Sequence, residues 1–315
     1  MNYPLNSIAP NVLVLLATHN GALWIDEQVN SIIKQKDVVV HVLARDDCSN
    51  DGTLSILKNY SVNFSNFRVV NASFASGSAG ANFKELIMAC DLSHIDYVAF
   101  SDQDDIWYET KLIDAIRSLA SGNYGGYSSA VVAGWKNSTK KKMVAQSPRI
   151  MDADFLFEGA GQGCTFLIPV NIFNLIIKFI KENSQKLELF YYHDWLVYLL
   201  VRSWGFSWYF DKRPSIFYRQ HQNNDTGSRG SLQAITKRLS LIKNGWYKNQ
   251  VKLAIKIYIL SSDKYSKKLK LFFMIFNKHD SFSRKVLVAF FILLYGRRRI
   301  SDRVFLFFSA LVGWI

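Results

Sequence analysis

Residues 11–21 read NVLVLLATHNG, and this short stretch decides the fold. The run from Asn11 to Ala17 is apolar without alternation, which suits a parallel strand covered on both faces better than a half-exposed one. It stops at a polar turn, Thr18-His19-Asn20-Gly21. Trp24, Val29, Ile32 and Ile33 then recur at helical spacing, and Val38 to Ala44 forms a second apolar run. The alternation continues with a helix over Asp51–Tyr60, a strand over Phe67–Val70, a helix over Asn82–Ala89 and a strand over Tyr97–Ser101. Strand and helix in strict succession predict an α/β doubly wound fold with a mostly parallel central sheet.

Sheets of this kind bind ligands beyond the carboxyl ends of their strands. Three polar segments follow strands directly: residues 18–21, the run DDCSNDGT at 46–53 and DQDD at 102–105. Asp102, Asp104 and Asp105 stand at one strand end, where their mutual repulsion is relieved by a hard cation such as Mg²⁺ or Mn²⁺. Such an ion leaves coordination positions for phosphate oxygens. The alternative is a solvated acidic turn in which Asp105 caps a helix starting near Trp107. Asp46 and Asp47 suit hydrogen bonds from a base N–H and a ribose hydroxyl, or else form a plain capped turn. Thr18 and Asn20 close the first strand in the same manner.

Beyond Trp107 the pattern loosens. Ala130–Trp135 and Met143–Gln146 read as strands joined by a Lys-rich turn, and residues 159–169 as a Gly-rich approach to an apolar strand. Helical patterns follow at Val170–Lys181 and at Tyr191–Trp204, the latter opened by His193-Asp194. Trp208–Arg219 reads as strand pairs.

Net charge is +13 but very uneven. Residues 229–315 hold 18 Lys and Arg against three acids, whereas residues 1–228 are close to neutral. Three scattered cysteines and the lack of an apolar leader suit a reducing cytoplasm. No run reaches the roughly 18–20 apolar residues that span a bilayer. The longest, Val286–Tyr295 and Val304–Ile315, are separated by Gly296-Arg297-Arg298-Arg299.

The succession LLATHNG (15–21), DDCSNDGT (46–53), NF (82–83), SDQDDIW (101–107), HDW (193–195) and YRQHQNNDTG (218–227) resembles family-2 glycosyltransferases. The nearest kind is the rhamnosyltransferase-like group of bacterial polysaccharide synthesis. The resemblance implies a GT-A-type catalytic domain over residues 1–227, followed by a basic, aromatic, helical region over 228–315. It implies inverting transfer of a sugar, rhamnose or a hexose, from dTDP-rhamnose or a UDP-sugar to a glycan acceptor of O-antigen or capsule type, carried on a lipid. By position, Asp46 and Asp47 hold the base and ribose with Thr18 and Asn20. Asp102 and Asp104 form the DxD pair, with Asp104 as the direct metal ligand. Asp194 falls at the catalytic base, where the plainer reading is a helix cap. Arg219 matches a phosphate clamp and His221 a metal ligand or diphosphate donor, where the plainer reading is a polar turn. Two positions depart from the pattern: His19 replaces a usual Tyr, and Arg45 a usual small residue.

The C-terminal mixture of Lys and Arg with Phe, Trp, Tyr, Leu and Ile suits a membrane interface. It equally suits helices packed on the catalytic domain. These features lead to an enzyme lying peripherally on the inner face of the cell membrane. A non-catalytic nucleotide-sugar or glycan binder of the same fold is the alternative. A nucleic-acid binder is excluded as a leading reading because no recognition module is visible.

Overall fold

In the first strand, β1 (Asn11–Thr18), even-numbered Val12, Val14 and Leu16 pack into one hydrophobic cluster while odd-numbered Leu13, Leu15 and Ala17 pack into another. A strand buried on both faces has no polar side to show, which explains the unbroken apolar run. The computed structural model describes residues 9–135, 141–220, 232–262, 266–277, 279 and 281–315. Helix α1 (Ile25–Ile33), β2 (Val39–Asp46), α2 (Thr53–Asn63), β3 (Phe67–Val70), α3 (Ala79–Ala89) and β4 (Tyr97–Ser101) follow in alternation, as the sequence leads one to expect.

The remaining elements of this half of the chain are β5 (Ile106–Trp107), α4 (Lys111–Leu119), β6 (Tyr124–Trp135), β7 (Lys141–Val144), β8 (Leu167–Pro169), α5 (Val170–Leu187), α6 (His193–Ser203) and β9 (Ser207–Gln220). Among the described residues they build one nine-stranded sheet of order β3-β2-β1-β4-β8-β6-β9-β5, with β7 paired to β6. The first four strands are parallel, and the sheet turns mixed at β8, which runs antiparallel to β4. Helices α1, α2 and α4 cover one face, while α3, α5 and α6 cover the other.

Two local readings differ from the structure. Trp107 lies in the short strand β5 and the helix after it opens at Lys111, so Asp105 caps no helix there. Trp208–Arg219 is one strand rather than a pair: β9 runs parallel to β6 along its length and absorbs Lys212 and Arg213 in a bulge. Asp211 holds that bulge, accepting from the Arg213 backbone N–H at 2.9 Å and from the Arg213 guanidinium Nη2 at 2.7 Å.

Five helices follow: α7 (Leu232–Lys243), α8 (Trp246–Ser261), α9 (Lys267–Phe276), α10 (Phe282–Tyr295) and α11 (Ile300–Leu311). Their inward faces join the same hydrophobic cluster as α3, α5 and α6, through residues such as Val251, Phe272, Ile292 and Leu306. Three arginines of this region also point inward. Arg284 donates to the Phe276 carbonyl and Arg303 to the Leu293 carbonyl. Arg298, 3% exposed, lies 3.5 Å from Asp154 and 3.7 Å from Glu158, and donates to the Gly159 carbonyl at 2.8 Å. Asp154, fully buried, also accepts from Tyr198 and Arg202. Removing one member of a buried charge network leaves the others uncompensated. Arg298→Met should therefore lower stability by about 3–5 kcal/mol, read as a reduced denaturant midpoint; an unchanged midpoint would show that the network does not hold the helices to the sheet.

Candidate active site

Parallel register brings three loops together. Thr18 pairs with Asp46 and Leu16 with Ser101, so β1, β2 and β4 end side by side and their loops share one edge of the sheet. Dense cross-bonding fixes them. The Gln103 side chain accepts from the His19 N–H at 2.8 Å and donates back to the His19 carbonyl at 2.9 Å. Asn20, at φ +49°, donates its N–H to Ser49 Oγ and accepts from the Asn50 N–H. Such a left-handed conformation is available to Asn at small cost.

The two neighbouring acids after β2 do different work. Asp46 is turned into its own loop, accepting from the Ser49 N–H and hydroxyl at 2.9 and 2.6 Å and from the Thr18 hydroxyl at 3.0 Å. Asp47 lines a cavity of about 420 Å³. Its carboxylate accepts from Arg45 Nη1 at 2.7 Å, from the Ser76 N–H at 2.6 Å and from the Gly77 N–H at 3.1 Å. These donors outweigh burial and hold Asp47 below the usual carboxylate range. Arg45 is one of the two residues that depart from the pattern of the resemblance. It is buried, and its second bond, to Asn82 Oδ1 at 2.8 Å, ties Asp47 to α3.

Asp102 and Asp104 line the same cavity, across from Asp47. Asp105 points elsewhere: it is fully buried, and burial together with the charges of Asp104 and Asp102 pushes its carboxyl well up. The densest donor group among the described residues is Asp102, Asp105 and Cys164, whose ligand atoms lie within 4.8 Å of one another. A thiol is a soft donor, so that trio does not suit a hard cation such as Mg²⁺, and burial pushes the Cys164 thiol well up. Asp102 and Asp104, which both line the cavity, offer the hard oxygen donors that a divalent cation would need there.

Arg219 stands behind the cavity wall. It is buried, donates Nε–H to the Asp104 carbonyl at 3.0 Å, pairs with Glu27 and lies 4.4 Å from the Trp24 ring centre. In this position it braces the acidic loop. His221 and residues 222–227 lie outside the described residues.

Asp194 reaches the cavity from the opposite side, in the first turn of α6. The N-cap of that helix is Tyr192, so Asp194 is a helical residue and not the cap. Its carboxylate accepts from the Trp195 N–H at 2.7 Å, but burial dominates and pushes its pKa up to about 6. Its neighbour His193 stacks on Phe83 at 3.9 Å between ring centres. Burial first, and then the Lys84 charge, push His193 down to about 3, so it stays neutral and acts as packing. Tyr191, Tyr192, Gln162 and Tyr218 complete the cavity wall. Of these only Tyr218 sat inside a motif quoted from the sequence. Gln103 and Asn82 sat inside conspicuous motifs, yet their roles depend on partners 84 and 37 residues away.

The model of the family described as glycosyl transferase family 2 matches residues 13–180. The chain is 40% identical over 237 residues to the dTDP-rhamnosyl transferase RfbG of Shigella flexneri, a match covering 75% of this chain and 82% of that one. It is 28% identical over 161 residues to the UDP-Glc:alpha-D-GlcNAc-diphosphoundecaprenol beta-1,3-glucosyltransferase WfgD of Escherichia coli, covering 50% and 59% of the two chains. Among solved structures, residues 1–349 of S. aureus TarS in complex with UDP-GlcNAc match with a TM-score of 0.55 at 16% identity, over 96% of this chain and 89% of that one. The chain therefore belongs to glycosyl transferase family 2. It is a glycosyltransferase of the rhamnosyltransferase-like kind with a GT-A-type fold, and the non-catalytic alternative falls.

A glycine sets the approach of α6 to the cavity. A Cβ at Gly163 would sit 2.6 Å from His193 Nε2 and 3.3 Å from Asp194 Cβ. Gly163→Ala should cost about 1–3 kcal/mol through overpacking, measurable as a lowered unfolding midpoint; an unshifted midpoint would mean that the start of α6 yields freely.

Proposed function

We propose that the chain transfers a sugar with inversion from a nucleoside-diphosphate donor to a hydroxyl of a surface-polysaccharide precursor. Rhamnose from dTDP-rhamnose is the first candidate, because the relative with 40% identity is a dTDP-rhamnosyl transferase. A UDP-hexose is the second. The acceptor in this reading is a glycan carried on a lipid diphosphate, the class named for the glucosyltransferase relative. One observation carries the proposal: Asp194, its pKa pushed up to about 6, shares a cavity with Asp47, Asp102 and Asp104.

In this reading Asp47, beside Asp46, Thr18 and Asn20, receives the base and ribose. Asp102 and Asp104 would hold Mg²⁺ or Mn²⁺. That ion, when bound, neutralises the diphosphate and so improves it as a leaving group. Arg219 keeps the acidic loop in place, and His221 is the further ligand implied by the resemblance. Asp194 takes the proton from the acceptor hydroxyl as its oxygen bonds to the anomeric carbon. The bond from that carbon to the diphosphate oxygen breaks, and the electron pair leaves with the nucleotide. A base with a pKa near the working pH is well matched to this task. Because the base acts ionised, kcat/KM should fall tenfold per pH unit below about 6 and level off above it. Asp194→Asn should lose about 10²–10⁴-fold in kcat with nucleotide affinity unchanged, whereas Asp104→Asn should lose metal-dependent nucleotide binding. Transfer retained in the Asp194 variant would remove it as the base.

We further propose that the enzyme works in the cytoplasm, peripherally on the inner face of the cell membrane. No helix among the described residues is long and apolar enough to cross a membrane. Exposed apolar stripes run along three C-terminal helices, however: Leu271 and Met274 on α9, Leu287, Phe290 and Leu294 on α10, and Val304 and Phe308 on α11, with Val312 at its C-cap. Exposed Lys267 and Lys270 stand beside them, in the pattern of a helix lying in an anionic interface. Flotation with phosphatidylglycerol vesicles should recover the protein, and Phe290→Asp with Phe308→Asp should cut binding by about 10-fold or more. Equal recovery of wild type and variant would end the membrane reading.

A further inference from the structure

A second cavity, of about 590 Å³, lies on the far side of Asp194. We infer that it is the acceptor site and that it takes a neutral sugar ring, an inference resting on the reading of Asp194 as the base. Asp194, Gln162 and Tyr192 line both cavities, so the two spaces share a wall at Asp194. A sugar bound in the second presents a hydroxyl to the base, opposite the donor.

The walls have carbohydrate chemistry. Trp246, at the start of α8, is partly exposed and makes an edge contact with Tyr192 at 5.8 Å and 82°. An aromatic face held in this way suits the C–H face of a sugar. Gln162 Oε1 is buried without a hydrogen-bond partner among the described residues, an acceptor awaiting an O–H donor. Arg297 is fixed by the Phe157 carbonyl at 3.1 Å and faces Asp302 at 3.7 Å, and Arg299 faces the same space. Glu158 and Asp302 offset these two cations, so the lining is mixed in charge and suits hydroxyls rather than a diphosphate. The volume falls within the roughly 300–1,000 Å³ of small-molecule sites.

The C-terminal helices are therefore part of this site and not an appendage to it. Leu239 from α7 and Phe305 from α11 stand at its rim, 37% and 40% exposed. Phe305 is one helical turn from exposed Phe308, so the mouth opens beside the apolar stripe of α11. A sugar carried on a hydrocarbon chain fits that juxtaposition, with its ring inside and its chain along the helices.

Saturation-transfer NMR with methyl glycosides of rhamnose, glucose and N-acetylglucosamine tests this without turnover. Spectra are recorded first without nucleotide and then with saturating dTDP and Mg²⁺, which fill the donor cavity. At least one glycoside should receive saturation, and saturating dTDP should leave the signal in place. Trp246→Ala, which removes the platform, and Leu239→Trp, which fills the space, should each weaken it about tenfold while dTDP affinity and the thermal midpoint hold. No glycoside signal in the wild type, displacement by dTDP, or equal signals in both variants would overturn the assignment. Failure of the wild type to bind dTDP would count against the donor reading alone, since glycoside binding is read separately.

Discussion

Repulsion between carboxylates gathered at one sheet edge is the constraint on which the rest of this structure depends. Parallel pairing of β1, β2 and β4 makes the strands end together, and each end carries acids or their partners. The fold manages the charge one group at a time. Asp46 is absorbed by backbone and hydroxyl donors of its own turn, and Asp47 by Arg45 and two N–H groups. Asp105 is pushed toward its protonated form by burial, beside Lys111, which burial pushes down to about 7. Asp102 and Asp104 are left facing the cavity. Charge is thereby concentrated where a cation and a diphosphate would use it and removed elsewhere.

The first half of the fold was legible because its strands are buried on both faces. A run such as residues 11–17 admits few structures, and Phe67–Val70 and Tyr97–Ser101 appear with the bounds expected of them. The later half was less so. β9 looked interrupted because Lys212, Arg213 and Pro214 resemble a turn, yet one carboxylate, Asp211, folds the interruption into a bulge. Of the site, the acids were visible as types at strand ends, but their division of labour was not. Whether an aspartate faces a cavity or its own turn depends on single contacts, such as that of Arg45 with Asp47, which no spacing rule encodes.

The C-terminal charge shows the same limit from another side. A tally of 18 basic residues suggests a cationic surface. In the structure Arg284, Arg298 and Arg303 are buried and hydrogen-bonded to carbonyl groups, while Phe290, Phe308 and Met274 stand exposed. Part of the polarity of these helices is thus inverted relative to an ordinary soluble bundle. Inward arginines satisfy the carbonyl groups of helix ends and of the 157–159 segment, while apolar side chains stand on the outer face.

These two halves meet at α6. Its first turn is pressed between Phe83 on α3 and the segment 157–163, and that segment is gripped from behind by Tyr247, Arg297 and Arg298. Burial pushes Asp194 up, and the packing around it comes from both the sheet half and the helical region. Loosening the helices would admit water, lower the affinity of Asp194 for a proton and open the second cavity together. The basicity of the residue read as the base and the shape of the space read as the acceptor site thus rest on the same packing, which ties the helical region to the proposed chemistry.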